Sequence, residues 1–156
     1  QPATSNQQPA TSNQQPATSN MSQEEVKTAT DNIIGQHDSF FDKQINLQYQ
    51  YPALVVSVYD GDTITVNIDL GFGVELKKQK IRLYGINTPE VRGASKEQGI
   101  ISRDYVRAKL LNQMITLQSI KDKKGKYGRW LGIILMGDVN LNKDLIKQKL
   151  AVFADY

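Results

Sequence analysis

Arg82 and Glu90 stand eight residues apart in the segment IRLYGINTPE, the first on an apolar run and the second just past a proline. Upstream lies an acidic turn, Asp60-Gly61-Asp62-Thr63, and downstream the stretch Lys126-Tyr127-Gly128-Arg129. Together these residues supply carboxylates, one candidate general base and two fixed cations, with no serine, cysteine or histidine triad. That inventory suits phosphodiester hydrolysis. Guanidinium groups and a divalent cation can neutralise the charge that builds on phosphorus, while a glutamate activates water.

Each part also has a plainer explanation. Asp-Gly is the favoured dipeptide of a tight hairpin turn, which accounts for Asp60 and Gly61. It does not account for Asp62, an acid at the start of a strand, where carboxylates are disfavoured. Arg82 could be an ordinary solvated strand residue, and Thr88-Pro89-Glu90 a simple strand exit, because proline ends the ladder. Lys121, Lys123, Lys124 and Lys126 could do no more than keep a hairpin loop soluble. The functional reading instead places Arg129 at the base of that loop. Tyr127 then stacks on a base or bonds a phosphate, and the lysines attract a polyanion without reading its sequence. His37, the sole histidine, reads as incidental, and Trp130 as core.

The elements that must position these groups follow from periodicity. Residues 53–59 are β-branched and apolar, and Thr63–Ile68 alternates with period two, so both read as strands joined by the Asp60-Gly61 turn. Gly71-Phe72-Gly73 breaks the pattern, and a third strand ends at Lys80–Tyr84. Apolar residues at helical spacing predict a helix over 95–113, with Ser95 as its cap. Strands over 115–120 and 130–136 flank a charged turn at 122–126, and a short helix covers 141–150. Three meandering strands, a helix, two strands and a helix fit an α+β architecture: a five-stranded OB-type β-barrel with two flanking helices.

The body so defined, 51–156, is preceded by two segments of different texture. Residues 1–20 repeat QPATSNQ with a proline in each unit and no large apolar residue, so they are expected to be disordered. Met21 reads as a natural start. In the extension 21–50, residues 22–36 read as a weak helix with Ser22 and Glu25 spaced as a capping box, and 37–50 as a connector. Residues 1–51 carry two lysines against five acids, whereas 52–156 carry seventeen Lys and Arg against eleven acids. A body this basic favours an anionic partner, nucleic acid above all. The chain has no cysteine, no apolar run of membrane-spanning length and no secretory signal pattern. These features lead to the expectation of a cytoplasmic protein with no membrane association and no obligate protein partner.

In order along the body, VYDGDT, IRLYGINTPE, KYGRWLG and NLNKDLIKQKLAVFADY resemble the staphylococcal nuclease-like (thermonuclease) family, in wording nearest its small phage and bacterial members. The resemblance implies a sequence-tolerant endonuclease acting on DNA and RNA, single- or double-stranded, and leaving 3′-phosphates. It makes Arg82 and Arg129 the groups that stabilise the transition state, and Glu90 the residue that positions or deprotonates water. Asp62 and the Thr88 carbonyl become calcium ligands, with Asp60 behind them and Lys124, Lys126 and Tyr127 holding substrate. Asn87 stands where well-known members have a second aspartate ligand. An amide still coordinates but brings no charge, so calcium should bind more weakly, and Mg²⁺ or Mn²⁺ become alternatives. The stretch between Glu90 and Arg129 is also shorter than in the secreted enzyme, and no C-terminal helix follows Tyr156; the leader over 22–51 is expected to pack in its stead. The missing carboxylate at Asn87 motivates a second reading, a catalytically weak or inactive nucleic-acid-binding module on the same barrel. Retention of Glu90 favours the enzyme, since a binding module has no use for it.

Overall fold

The computed structural model describes residues 37–124 and 126–155. The heptads and the segment 22–36 lie outside the described residues, so the expectations for them are not addressed by it. One compact unit runs from His37 to Tyr156. In chain order its elements are helix α1 over 37–42, strands β1 (Gln50–Asp60), β2 (Thr63–Asp69), β3 (Glu75–Leu83) and β4 (Ile86–Asn87), and helix α2 (Lys96–Leu110). Strands β5 (Met114–Lys124), β6 (Trp130–Met136) and β7 (Val139–Asn140), helix α3 (Leu141–Lys147) and strand β8 (Val152–Phe153) follow.

Antiparallel pairing in the order β3-β2-β1-β5-β6 forms a sheet that closes on itself where β3 meets β6 in parallel. The result is the five-stranded OB-type barrel expected from the periodicity. The closing register pairs Ile81 with Trp130, Arg82 with Leu131 and Leu83 with Gly132. Closure removes one exposed sheet edge and buries the inward residues of every strand, among them Ile64, Val66, Ile81, Leu83, Leu117 and Ile133. Gly132 lies where two of these strands come closest: a Cβ there would stand 2.7 Å from Leu117. Helix α2 covers β1 with Val106 and Leu110, both fully buried.

Several local expectations are revised. Helix α2 stops at Leu110 rather than 113, because Asn112 turns the chain through a left-handed φ of 63° so that β5 can begin at Met114. Ser95 makes no capping bond to the helix; its hydroxyl donates to the Glu90 carbonyl at 3.3 Å. Strand β5 runs on to Lys124, which pairs with Trp130, so the charged turn is shorter than the sequence suggested. Trp130 is not core: it is 38% exposed, with the Lys124 ammonium 4.2 Å from its ring. Two-residue strands β4 and β8 form a small second sheet that periodicity could not reveal.

Residues 37–50 are more than a connector. Phe41 of α1 is completely buried, and Phe40 stacks on Tyr84 at 5.1 Å between ring centroids. His37, taken from sequence as incidental, lies flat against Phe153 at 4.1 Å. Lys143 of α3 bridges Asp42 of α1 at 2.6 Å and reaches Asp38 at 3.7 Å. Gln118, buried in β5, accepts the Asn46 N–H and donates to the Tyr49 carbonyl, so its amide holds the segment's second half. Among the described residues no helix is long and apolar enough to cross a membrane.

Candidate active site

The β1–β2 turn carries the first acids inward. Asp60 and Asp62 are both buried, and Asp60 accepts the backbone N–H of Asp62 at 3.1 Å. This side-chain bond across two residues is a common device of Asp-Gly turns. It leaves the two carboxylates side by side at the mouth of β2. Burial, then the hydrogen bond and charge of Asp62, and lastly the charge of Glu90 push the Asp60 carboxyl up to about 7. Carboxylates crowded together away from water disfavour each other's ionisation unless a cation joins them.

Strand β3 delivers Arg82 to the same place, because its register sets Arg82 directly opposite Thr63. The guanidinium ion-pairs with Asp62 at 3.3 Å, largely shielded from solvent. It also donates to the carbonyls of Leu83 and Ile86, at 3.0 and 2.9 Å, and to the Asn87 side-chain oxygen. The fork is therefore fixed in direction by several acceptors, as suits a planar group that must meet a planar anion. Strand β6 flanks β3 on its other side, so Arg129, one residue before β6, falls beside the same turn. Its guanidinium donates to the Thr63 hydroxyl at 3.1 Å, and that hydroxyl donates to Asp62 at 3.2 Å.

The loop after β4 completes the cluster. The Thr88 N–H donates to Asp62 at 2.9 Å, closing the loop onto the acidic turn. Its hydroxyl is buried with no hydrogen-bond partner among the described residues. Glu90 is exposed, and its reach into the site is felt through its effect on Asp60. Helix α2 fixes this loop by contact: a Cβ on Gly99 would sit 2.0 Å from the Glu90 carbonyl oxygen, so only glycine lets the helix approach so near. From the other side, Gly85 at φ +79° packs under Phe41 with room for no side chain.

The structure thus brings together Asp60, Asp62, Arg82, Asn87, Thr88 and Arg129. Tyr127 stands exposed with its ring 5.4 Å from the Arg129 guanidinium. Lys124 lies over Trp130 instead of toward the acids. The Lys126 side chain, with those of Lys121 and Lys123, is outside what is described. Thr63 was missed from sequence, although its hydroxyl bonds both Asp62 and Arg129. Its signal was available: as the first residue of β2 it had to face Arg82 once the hairpin register was set.

Oxygen donors dominate this mouth: two carboxylates, an amide oxygen and the Thr88 hydroxyl. Such a set fits a hard cation such as Ca²⁺ or Mg²⁺, and the unpartnered Thr88 hydroxyl and the crowded Asp60 mark where positive charge is wanted. Among the described residues no group of three or more His, Asp or Glu is arranged around a common metal position. A cation here would rely on Asp60 and Asp62 with amide and hydroxyl oxygens, and Asn87 would have to release Arg82.

Comparison with known proteins agrees with this geometry. Residues 80–156 match the family described as staphylococcal nuclease homologue. A thermonuclease of Staphylococcus hyicus is 36% identical over 100 residues, covering 62% of this chain and 56% of its own length. One from Staphylococcus intermedius is 35% identical over 101 residues, covering 63% and 56%. An uncharacterized protein of Methanocaldococcus jannaschii is 29% identical over 140 residues, covering 71% and 65%. The chain spans about half the length of the thermonucleases it matches. With that match over residues 80–156, the closed five-stranded barrel, and acids and arginines gathered at the mouth of β2, the body of the chain is staphylococcal nuclease-like.

Proposed function

We propose that this domain is a metal-assisted nuclease that hydrolyses DNA and RNA phosphodiesters with little regard for sequence. The observation that carries the reading is the bonded chain Arg129–Thr63–Asp62–Arg82, which sets two guanidinium groups on either side of one buried carboxylate. Arg82 and Arg129 grip the scissile phosphate and neutralise the charge added as phosphorus becomes five-coordinate. Glu90, exposed at the rim, takes a proton from water as the water oxygen bonds to phosphorus. The bond from phosphorus to the 5′-oxygen breaks, that oxygen gains a proton from solvent, and the products carry a 3′-phosphate and a 5′-hydroxyl. Asp60, Asp62, Asn87 and Thr88 would hold the cation, calcium in first place and magnesium or manganese as alternatives given the amide of Asn87. Bound there, the cation would withdraw charge from the phosphate oxygens.

Purified full chain incubated with plasmid and single-stranded DNA should release fragments with calcium, and none with chelator. Glu90→Gln should lower turnover by roughly two or more orders of magnitude, the usual scale for a lost acid–base group. Undiminished cleavage by Glu90→Gln would remove this mechanism. A second reading, binding without cleavage, draws on one observation: Arg82 already spends bonds on Asn87 and two carbonyls. It requires that DNA be retained by the full chain and never cut under any of the three metals.

A further inference from the structure

The least explained surface of the molecule is the tip of the β2–β3 hairpin. Phe72 there is completely exposed, and the backbone is shaped to present it: Gly71, Phe72 and Gly73 have φ values of 74°, 52° and 74°. An aromatic side chain held outward on a left-handed backbone costs both solubility and conformational energy, and neither is returned by any contact within the described fold. Val74 and Leu76 continue the apolar surface next to it.

The strands below the tip run directly into the site. Register places Thr65 opposite Lys80 and Thr63 opposite Arg82, so Lys80 and Arg82 share one face of β3, about 7 Å apart along the strand. Further out, the Lys78 N–H donates to the Asn67 side chain at 2.9 Å, and a left-handed φ of 54° at Lys78 makes a bulge in the ribbon. Beyond its closing pairs at 81–83, β3 is bonded, among the described residues, to β2 alone over 75–80, which leaves one edge of this ribbon open. Lysines and a bulge are what an exposed edge needs to stay unpaired, so they account for themselves. Phe72 is not accounted for in that way.

We propose that the β2–β3 ribbon is an extension of the nuclease surface: Lys80 and Lys78 follow the backbone of a single nucleic-acid strand away from Arg82, and Phe72 stacks on one of its bases. The proposal rests on the nuclease reading of the site. Stacking is tolerant of sequence, because every base offers a π-face, and it fits a partner chosen by charge. From Arg82 to Leu76 the strand spans about 20 Å, and the tip lies further out, so Phe72 can be reached only by a strand extending several nucleotides past the gripped phosphate. A single exposed Phe beside lysines would also suit an anionic lipid surface. Continuity of the Lys80 and Arg82 face with the site favours nucleic acid.

Fluorescence anisotropy with chelator present, using single-stranded oligonucleotides of roughly 4 to 16 nucleotides, tests this apart from cleavage. The full chain should bind the long oligonucleotides much more tightly than the short. Phe72→Ala should weaken the long ones about five- to tenfold and leave the short ones unchanged, with an unaltered circular dichroism spectrum. Lys80→Gln should reduce the dependence of log K on log salt by about 0.7 for the long strands. Equal binding of all lengths by parent and Phe72→Ala, with cleavage intact, overturns the extension and leaves the nuclease standing. No binding to any oligonucleotide and no cleavage overturns both. Loss of binding to vesicles of phosphatidylcholine with roughly a third phosphatidylserine, without loss on oligonucleotides, would assign Phe72 to a membrane and overturn the proposal as well.

Discussion

At the scale of single residues, the site is a balance of charge, with Asp60 and Asn87 as its adjustable weights. Asp60 is held above the ordinary carboxylate value of 3.8, at about 7, chiefly by burial. A raised acid costs the fold stability from the unfolded value upward, so the penalty is absent well below 3.8, grows as pH climbs from there to about 7, and is complete above that. Asp60→Asn keeps the acceptor for the Asp62 N–H and removes the charge. In chelator it should therefore be more stable than the parent by more than about 1 kcal/mol near pH 8, and equal to it at about pH 3. Urea denaturation at the two pH values checks this; the same gain at both would show that Asp60 is not strained by ionisation. Asn87→Asp acts in the opposite direction, adding a carboxylate within reach of the same oxygens. Calcium should bind it at least about tenfold more tightly by calorimetric titration, and an unchanged affinity would place Asn87 away from the cation.

At the scale of elements, the loop carrying Asn87, Thr88 and Glu90 is short and held from three directions. Strand β8 pairs with β4, with Ile86 opposite Phe153, and the Ala154 N–H donates to the Gly85 carbonyl at 2.9 Å. Helix α2 presses Gly99 against the Glu90 backbone. Helix α1 drives Phe41 under Gly85 and against Phe153. The positions of these oxygens thus depend on a helix about forty-five residues upstream of them. Phe41→Ala should cost about 3–5 kcal/mol of folding stability, with Phe41→Leu costing much less, as measured by urea denaturation. A cost below about 1 kcal/mol would mean that α1 does not hold this part of the barrel.

At the scale of the whole molecule, the barrel was legible because its strands alternate apolar and polar residues and its turns carry Asp-Gly or glycine pairs. Arg82, Glu90, Asp62 and Arg129 stood out because they occur together: each has an ordinary explanation singly, but jointly they suit a phosphate. What stayed hidden depends on contacts between distant segments. Phe41 reads as any aromatic in a polar leader until Gly85 offers it a cavity, and Trp130 reads as core until β6 proves to start at the barrel's rim. Strands β4 and β8, two residues each, are too short to leave a period. One further property follows from the parallel seam between β3 and β6, which unites Arg82 with Arg129 only when segments nearly fifty residues apart have met. During synthesis the two halves of the proposed cutting edge emerge from the ribosome at different times. On the proposed reading, a nascent chain that has not yet released β6 would leave the RNA around it intact, and cleavage would begin only once both arginines are in place.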